Sequence, residues 1–333
     1  PCAVFFAVLI LPGYLASNAN SFYYGASHLF GTNTQPGADA EKIENAFGKS
    51  DTYVLMIPLD STAQEKKLSD ALHEIPQVKS ILSYVDTVGT EIPEQYLDHG
   101  VLSKLNSEHY TRMVLTMDAD YEGNDTFALV ENVRKTAEKF YPGEWYLAGE
   151  GISTYDLMDT VTADTVKVNL VAIGAVFLVL LITMRSLVLP VILVLAIETA
   201  IWINLAIPYF ADKSIFYIAY LIISSVQLGA TVDYAILLTD RYREMRQSNS
   251  KKNAVVNTIS AVTVSGLTSG SVLTVVGFLL GAFSTHGLLS QLGYFLGKGT
   301  LCSLAIILFV LPGLLYLPDK WIVKKRKTEE MEA

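Results

Sequence analysis

The chain has 333 residues, of which 51% are hydrophobic and only 17% charged, with a formal net charge of -9. Apolar residues gathered in long blocks exclude an ordinary soluble globular domain and mark a membrane protein. The acidic balance, with lysine and arginine confined to short clusters, excludes a nucleic-acid partner.

The first block, residues 1–16, is an apolar run that starts at Pro1 without a Met. It lacks the charged leader and small-residue cleavage site of a signal peptide. A truncated first membrane span is expected here, in a chain that is part of a longer protein.

Residues 17–165 change to soluble periodicities. "TYVLMIP" (Thr52 to Pro58) predicts a strand, and a helix with Leu68, Ala71, Leu72 and Ile75 on its apolar face follows, with Thr62 and Glu65 as a capping box. "VKSILSYV" (Val78 to Val85) predicts the second strand and "TRMVLTM" (Thr111 to Met117) the third. A helix burying Phe127, Val130, Val133, Ala137 and Phe140 precedes the closing strand "EWYLAG". The order β-α-β-β-α-β is the ferredoxin-like split βαβ arrangement. The domain carries no metal-ligand spacing among His28, His73, His99 and His109, and no catalytic triad can be assembled, so a binding or conduit module is expected rather than an enzyme.

Five further spans of about 20 residues are expected at Val166 to Met184, Leu187 to Phe210, Ile215 to Leu238, Val262 to Phe283 and Leu288 to Leu317. Cys2 and Cys302 both fall in apolar spans, which excludes a disulfide framework. Arg241, Arg243, Arg246, Lys251 and Lys252 lie in one connection, and Lys320, Lys324, Lys325, Arg326 and Lys327 in the tail 318–333. Both are placed in the cytosol, which puts residues 17–165 outside.

Asp233 interrupts the apolar part of "GATVDYAILLTDRYREMR", Gly229 to Arg246. At 1.5 Å per residue it lies roughly 12 Å inside the boundary marked by Arg241. A carboxylate at that depth is costly and commonly faces a bundle interior on a proton or ion path. This stretch resembles the fourth-span motif of the MMPL branch of the resistance-nodulation-division superfamily, with Gly, Val-Asp-Tyr and Arg-Tyr-Arg-Glu in the same order. "SVLTVVGFLLGAFS" and "LGYFLGKGTLCSLAIILFVLPGLLYL" are similar to its fifth and sixth spans. The resemblance implies an α-helical polytopic membrane protein, here one six-span half with a porter-like α/β subdomain between the first and second spans. It further implies proton-driven export of hydrophobic or amphiphilic molecules, with Asp233 and Tyr234 as the relay and a proton gradient in place of any cofactor. The expected partners are membrane lipids, the amphiphilic substrate and the other six-span half of the same protein; a homo-oligomer stays open. The short tail after Trp321 fits the C-terminal half.

Other polar residues fall in the spans. Glu198 reads either as a second proton site or as a carboxyl bonded to a neighbouring helix. Lys298 invites pairing with Asp233, but it sits closer to the outer side, where snorkelling is expected. Thr268, Ser271 and Thr274 offer either a hydrogen-bond path towards Asp233 or interhelical glue. Gly266/Gly270, Gly277/Gly281 and Gly293/Gly297 have the spacing of close helix contacts. "NAVVNTISAVT" fits an amphipathic helix on the cytosolic face. The competing readings are a sensor or scaffold of the same fold, a protein-secretion accessory, and an intramembrane aspartyl protease, which needs a second deep Asp that the spans do not supply.

Overall fold

The computed structural model describes residues 2–25, 29–89 and 99–322. His28, most of the "GTEIPEQYLDHG" linker and the basic run Lys324 to Lys327 lie outside them. Along the chain the elements are α1 (Cys2–Asn18), β1 (Phe22–Tyr23), α2 (Gln35–Phe47), β2 (Asp51–Pro58), α3 (Thr62–His73), β3 (Val78–Leu82), α4 (Tyr84–Thr87), α5 (His99–Leu105), β4 (Tyr110–Met117), α6 (Asn124–Phe140) and β5 (Tyr146–Ala148). The long helices follow: α7 (Glu150–Met184), α8 (Val188–Phe210), the short β6 (Ile215–Phe216), α9 (Tyr217–Ser248), α10 (Lys251–Phe283), α11 (Gly287–Ala305), a π segment (Ile306–Val310), α12 (Leu311–Tyr316) and α13 (Asp319–Ile322). The chain divides into two compact units, one of Tyr23–Ala163 and one of the remaining residues.

In the α/β unit the four-stranded sheet has the order β3-β4-β2-β5, antiparallel at each pairing. With α3 and α6 between the strands, this is the split βαβ arrangement, with α4 and α5 added in the connection from β3 to β4. Side chains alternate across a strand, so Tyr53, Leu55 and Ile57 of β2 and Met113, Leu115 and Met117 of β4 share one fully buried face. Leu68 and Leu72 of α3 and Val130, Val133 and Ala137 of α6 close the same core. Truncating Leu115 to Ala at its centre is expected to cost about 2–5 kcal/mol, read as a lower denaturation midpoint of the purified protein.

Local details depart from the sequence reading. The α3 N-cap is Ser61, which makes no side-chain cap bond, so Thr62 and Glu65 form no capping box. β3 stops at Leu82, because Ser83 turns the chain by accepting the Asp86 N–H and capping α4. On α6, Thr126 and Leu129 are buried where Phe127 was expected. Phe127 instead meets Tyr24 and Tyr155 edge to face.

In the helical unit, five helices are long and apolar enough to cross a membrane. At 17 residues α1 falls short of that length, so six complete spans are not present among the described residues. α8 packs into the core of the unit, burying Leu189, Leu193, Ala196, Ile197, Ala200, Ile201 and Leu205. The segment "NAVVNTISAVT" is no separate helix but the start of α10, which runs unbroken for 33 residues behind its N-cap, Ser250. No glycine, proline or turn signal between Lys251 and Gly266 interrupts it. The last span changes from α11 to a π segment just before Leu311-Pro312. Pro312 supplies no N–H to the preceding turn, and the wider helix accommodates the ring.

α10 and α11 meet backbone to backbone. A Cβ added to Gly277 would lie 2.5 Å from the Gly297 nitrogen and 3.0 Å from the Gly293 carbonyl, and one added to Gly281 would lie 2.9 Å from the Tyr294 ring. Of the three glycine pairs, Gly277/Gly281 and Gly293/Gly297 face each other, while Gly270 receives Leu304 and Gly266 has open space.

Candidate functional site

α9 is two-faced over its central turns. Gln227, Leu228, Thr231, Ala235, Leu238, Thr239 and Tyr242 are buried in the bundle, following the three- and four-residue steps of a helical stripe. Asp233 lies on the other side, exposed, in line with Leu237, Asp240 and Glu244. A groove of about 360 Å³ runs along this side, lined by Asp233, Ile236, Leu237, Asp240, Arg241 and Glu244. Near its end Arg241 pairs with Glu244 at 2.6 Å and Arg243 with Asp240 at 3.8 Å. Asp233 itself makes no hydrogen bond or ion pair among the described residues. The expectation that it faces the interior of its own bundle is thus corrected: successive helix positions are about 100° apart, and burying the Gln227–Tyr242 stripe turns Asp233 outwards.

The same geometry separates the expected relay pair. The Tyr234 hydroxyl lies 3.2 Å from Ser269 Oγ on α10, and not on its neighbour Asp233. Ser269 was not singled out in the sequence. Thr268, Ser271 and Thr274 do not form a path to Asp233. The Thr268 hydroxyl donates to the Val264 carbonyl at 2.7 Å, Ser271 is exposed, and Thr274 is buried. Steps of three residues fall about 60° short of a full turn each, so the three hydroxyls fan across different faces.

Glu198 is half-buried midway along α8, without a hydrogen bond or ion pair among the described residues. Lys298 is half-buried on α11, its ammonium 4.9 Å from the centre of the Phe295 ring, and makes no ion pair with Asp233.

Two polar clusters in this unit escaped the sequence reading. In the first, Asn204 Nδ2 donates to Gln227 Oε1 at 2.9 Å and to the Phe295 carbonyl at 3.0 Å. Gln227 Nε2 donates to the Gly299 carbonyl and Ser303 Oγ, both at 3.2 Å. These amides tie α8, α9 and α11 together six residues before Asp233. Two fully buried amides in apolar runs were a readable signal for such a tie. In the second, at the far end of α9, Asp319 accepts from the Tyr242 hydroxyl at 2.6 Å and from Arg246 Nε and Nη2, both at 2.8 Å. Arg246 also donates to the Asn249 carbonyl at the α9 C-cap. The Arg246 guanidinium holds the Asp319 carboxyl below its usual range, against the opposing effect of burial.

The family model described as "MMPL family" matches residues 33–332. "Putative membrane protein SCO0839" of Streptomyces coelicolor is 30% identical over 199 residues, which is 56% of this chain and 28% of that protein. "Probable transport protein MmpL6" of Mycobacterium tuberculosis is 22% identical over 228 residues, 63% of this chain and 55% of that protein. The aligned part of the chain therefore spans about a quarter to about half the length of these relatives.

Proposed function

This chain belongs to the MMPL family, and we propose that its membrane helices form one half of a proton-driven exporter of hydrophobic or amphiphilic molecules. The observation that carries the reading is Asp233, a carboxylate in the middle of an apolar helix, turned to an open face and without a partner among the described residues. Left to lipid, such a group is costly. Covered by a second six-span half, or set in a water-filled cleft between two halves, it becomes a buried acid that changes charge when it takes up a proton.

In this reading Asp233 carries the proton. Tyr234, bonded to Ser269, senses the change in charge next to it and alters the α9–α10 contact. Glu198 serves as a secondary proton site and Lys298 as an anchor towards the outer interface. The α/β unit lies outside the plasma membrane as a porter-like module, and the C-terminus lies in the cytosol, as the lysine and arginine distribution supports. The transport name of the Mycobacterium tuberculosis relative agrees with this reading.

The test is export of a panel of fluorescent amphiphiles and labelled lipids from cells that make the full-length protein. Wild-type export should stop when an uncoupler is added, and Asp233→Asn should export at least about tenfold more slowly, a barrier difference of about 1.4 kcal/mol. Unchanged, uncoupler-resistant export would leave a sensor or scaffold of this fold as the better reading.

A further inference from the structure

β5 pairs with β2, and one glycine later the chain enters α7, so the first turn of α7 is delivered to the start of β2. There Asp51, the first residue of β2, is only 3% exposed. Its Oδ2 accepts the Gly151 N–H at 2.7 Å and its Oδ1 the Thr52 N–H at 2.7 Å. Gly151 lies in the first turn of α7, whose N–H groups have no partner within the helix and favour a negative charge. The carboxylate of the sheet thus caps a helix that begins 99 residues later.

Two further features seat the same turn. Ile152, 2% exposed, enters the core of the sheet beside Tyr53. Both glycines at the junction are required by close approach. A Cβ on Gly151 would lie 2.6 Å from Asp51 Oδ2 and 2.9 Å from the Tyr53 hydroxyl, and one on Gly149 would lie 2.8 Å from the Thr52 carbonyl. Nothing bulkier than hydrogen fits between the helix start and the sheet. α7 then continues without a break to Met184 as one of the five helices able to cross a membrane.

We propose that Asp51 is a positioning residue for transport: it locks the first turn of α7 to the start of β2 and so fixes where that helix leaves the sheet. This rests on the export function proposed above. Asp51 touches neither proton nor substrate in this account; it acts through α7.

The experiment uses full-length protein in liposomes, with an imposed pH gradient and a nitrobenzoxadiazole-labelled phospholipid as the transported probe. Amide hydrogen exchange is followed on the same samples. Asp51→Ala should raise exchange at Gly151 to Ser153 roughly five- to tenfold, as loss of a cap does. It should lower the maximal transport rate by about the same factor with KM unchanged, and Asp51→Asn, which keeps an acceptor oxygen, should recover at least half of it. Gly151→Ala keeps the carboxylate but wedges a methyl against it, so it should reproduce the loss if Asp51→Ala proves unfolded. Wild-type maximal rates in folded Asp51→Ala or Gly151→Ala would overturn the proposal. A wild-type protein that moves no probe would refute the export reading and this role with it, while the exchange data would still show whether the lock exists.

Discussion

Gly277→Leu should prevent α10 and α11 from closing, and little folded protein should survive detergent extraction. The side chain would have to start 2.5 Å from the Gly297 nitrogen and 2.9 Å from its Cα, both backbone atoms that no rotamer change can move aside. Overpacking commonly costs about 1–3 kcal/mol where side chains can shift, and here the whole helix must shift. Two more features raise the cost. Gly293 meets the Gly281 nitrogen and the Gly277 carbonyl from the opposite side, and the Ser290 hydroxyl donates to the Gly281 carbonyl at 2.7 Å. Separating the helices would lose that bond along with the contact. Gly174→Ala and Gly229→Ala serve as controls, since a Cβ at either position meets nothing within 4 Å. They should be as stable as wild type or up to about 1 kcal/mol more so, since alanine suits a helix interior better than glycine. Size-exclusion profiles and thermal midpoints of the detergent-solubilised variants read the contrast, and a wild-type midpoint for Gly277→Leu would contradict this packing.

Asp319→Ala should lower stability by about 3–5 kcal/mol, the usual result of removing one partner of a buried ion pair. Asp319 is 5% exposed, and its loss strands the Arg246 guanidinium and the Tyr242 hydroxyl together. The double variant Arg246→Ala/Asp319→Ala should cost less than the sum of the single ones, because the second removal leaves no uncompensated charge. The pH dependence follows from the direction of the shift. A carboxyl held below its usual range stabilises the fold fully above the ordinary value of about 4 and loses that contribution as pH falls through the lowered value. Wild type should therefore lose stability on acidification below about pH 4, and Asp319→Ala should lack that component. Thermal midpoints of both proteins across this range measure it, and parallel curves would contradict the clamp.

What could be read from the sequence follows the range of each interaction. The strand and helix order of the α/β unit was legible because alternation in "TYVLMIP" and "TRMVLTM" and the apolar stripe of α6 are local signals. The long helices were legible from apolar length alone, although Lys251 and Lys252 hid the true start of α10. The spacing of Asp233 from Arg241 on one helix was also readable, since it needs only a count of residues. Its direction was not, because that depends on which stripe of α9 the other helices bury. Partners joined across long separations were out of reach: Asp51 with Gly151, Asn204 with Gln227 and Phe295, and Arg246 with Asp319. In each case the sequence shows a polar residue in or beside an apolar element, and only the fold shows what it meets. Tyr234 shows the same limit. Adjacent in sequence to Asp233, it points about 100° away on the helix and finds Ser269.

Asp233 is proposed to carry the proton that drives transport. This role is tested most directly by purified full-length protein in liposomes with an imposed pH gradient, where an internal pH dye and a labelled phospholipid are followed together. Wild type should dissipate the gradient faster when the lipid probe is present, and Asp233→Asn should abolish both proton flux and probe movement while keeping the wild-type thermal midpoint. A folded Asp233→Asn protein that still couples the two fluxes would contradict the account.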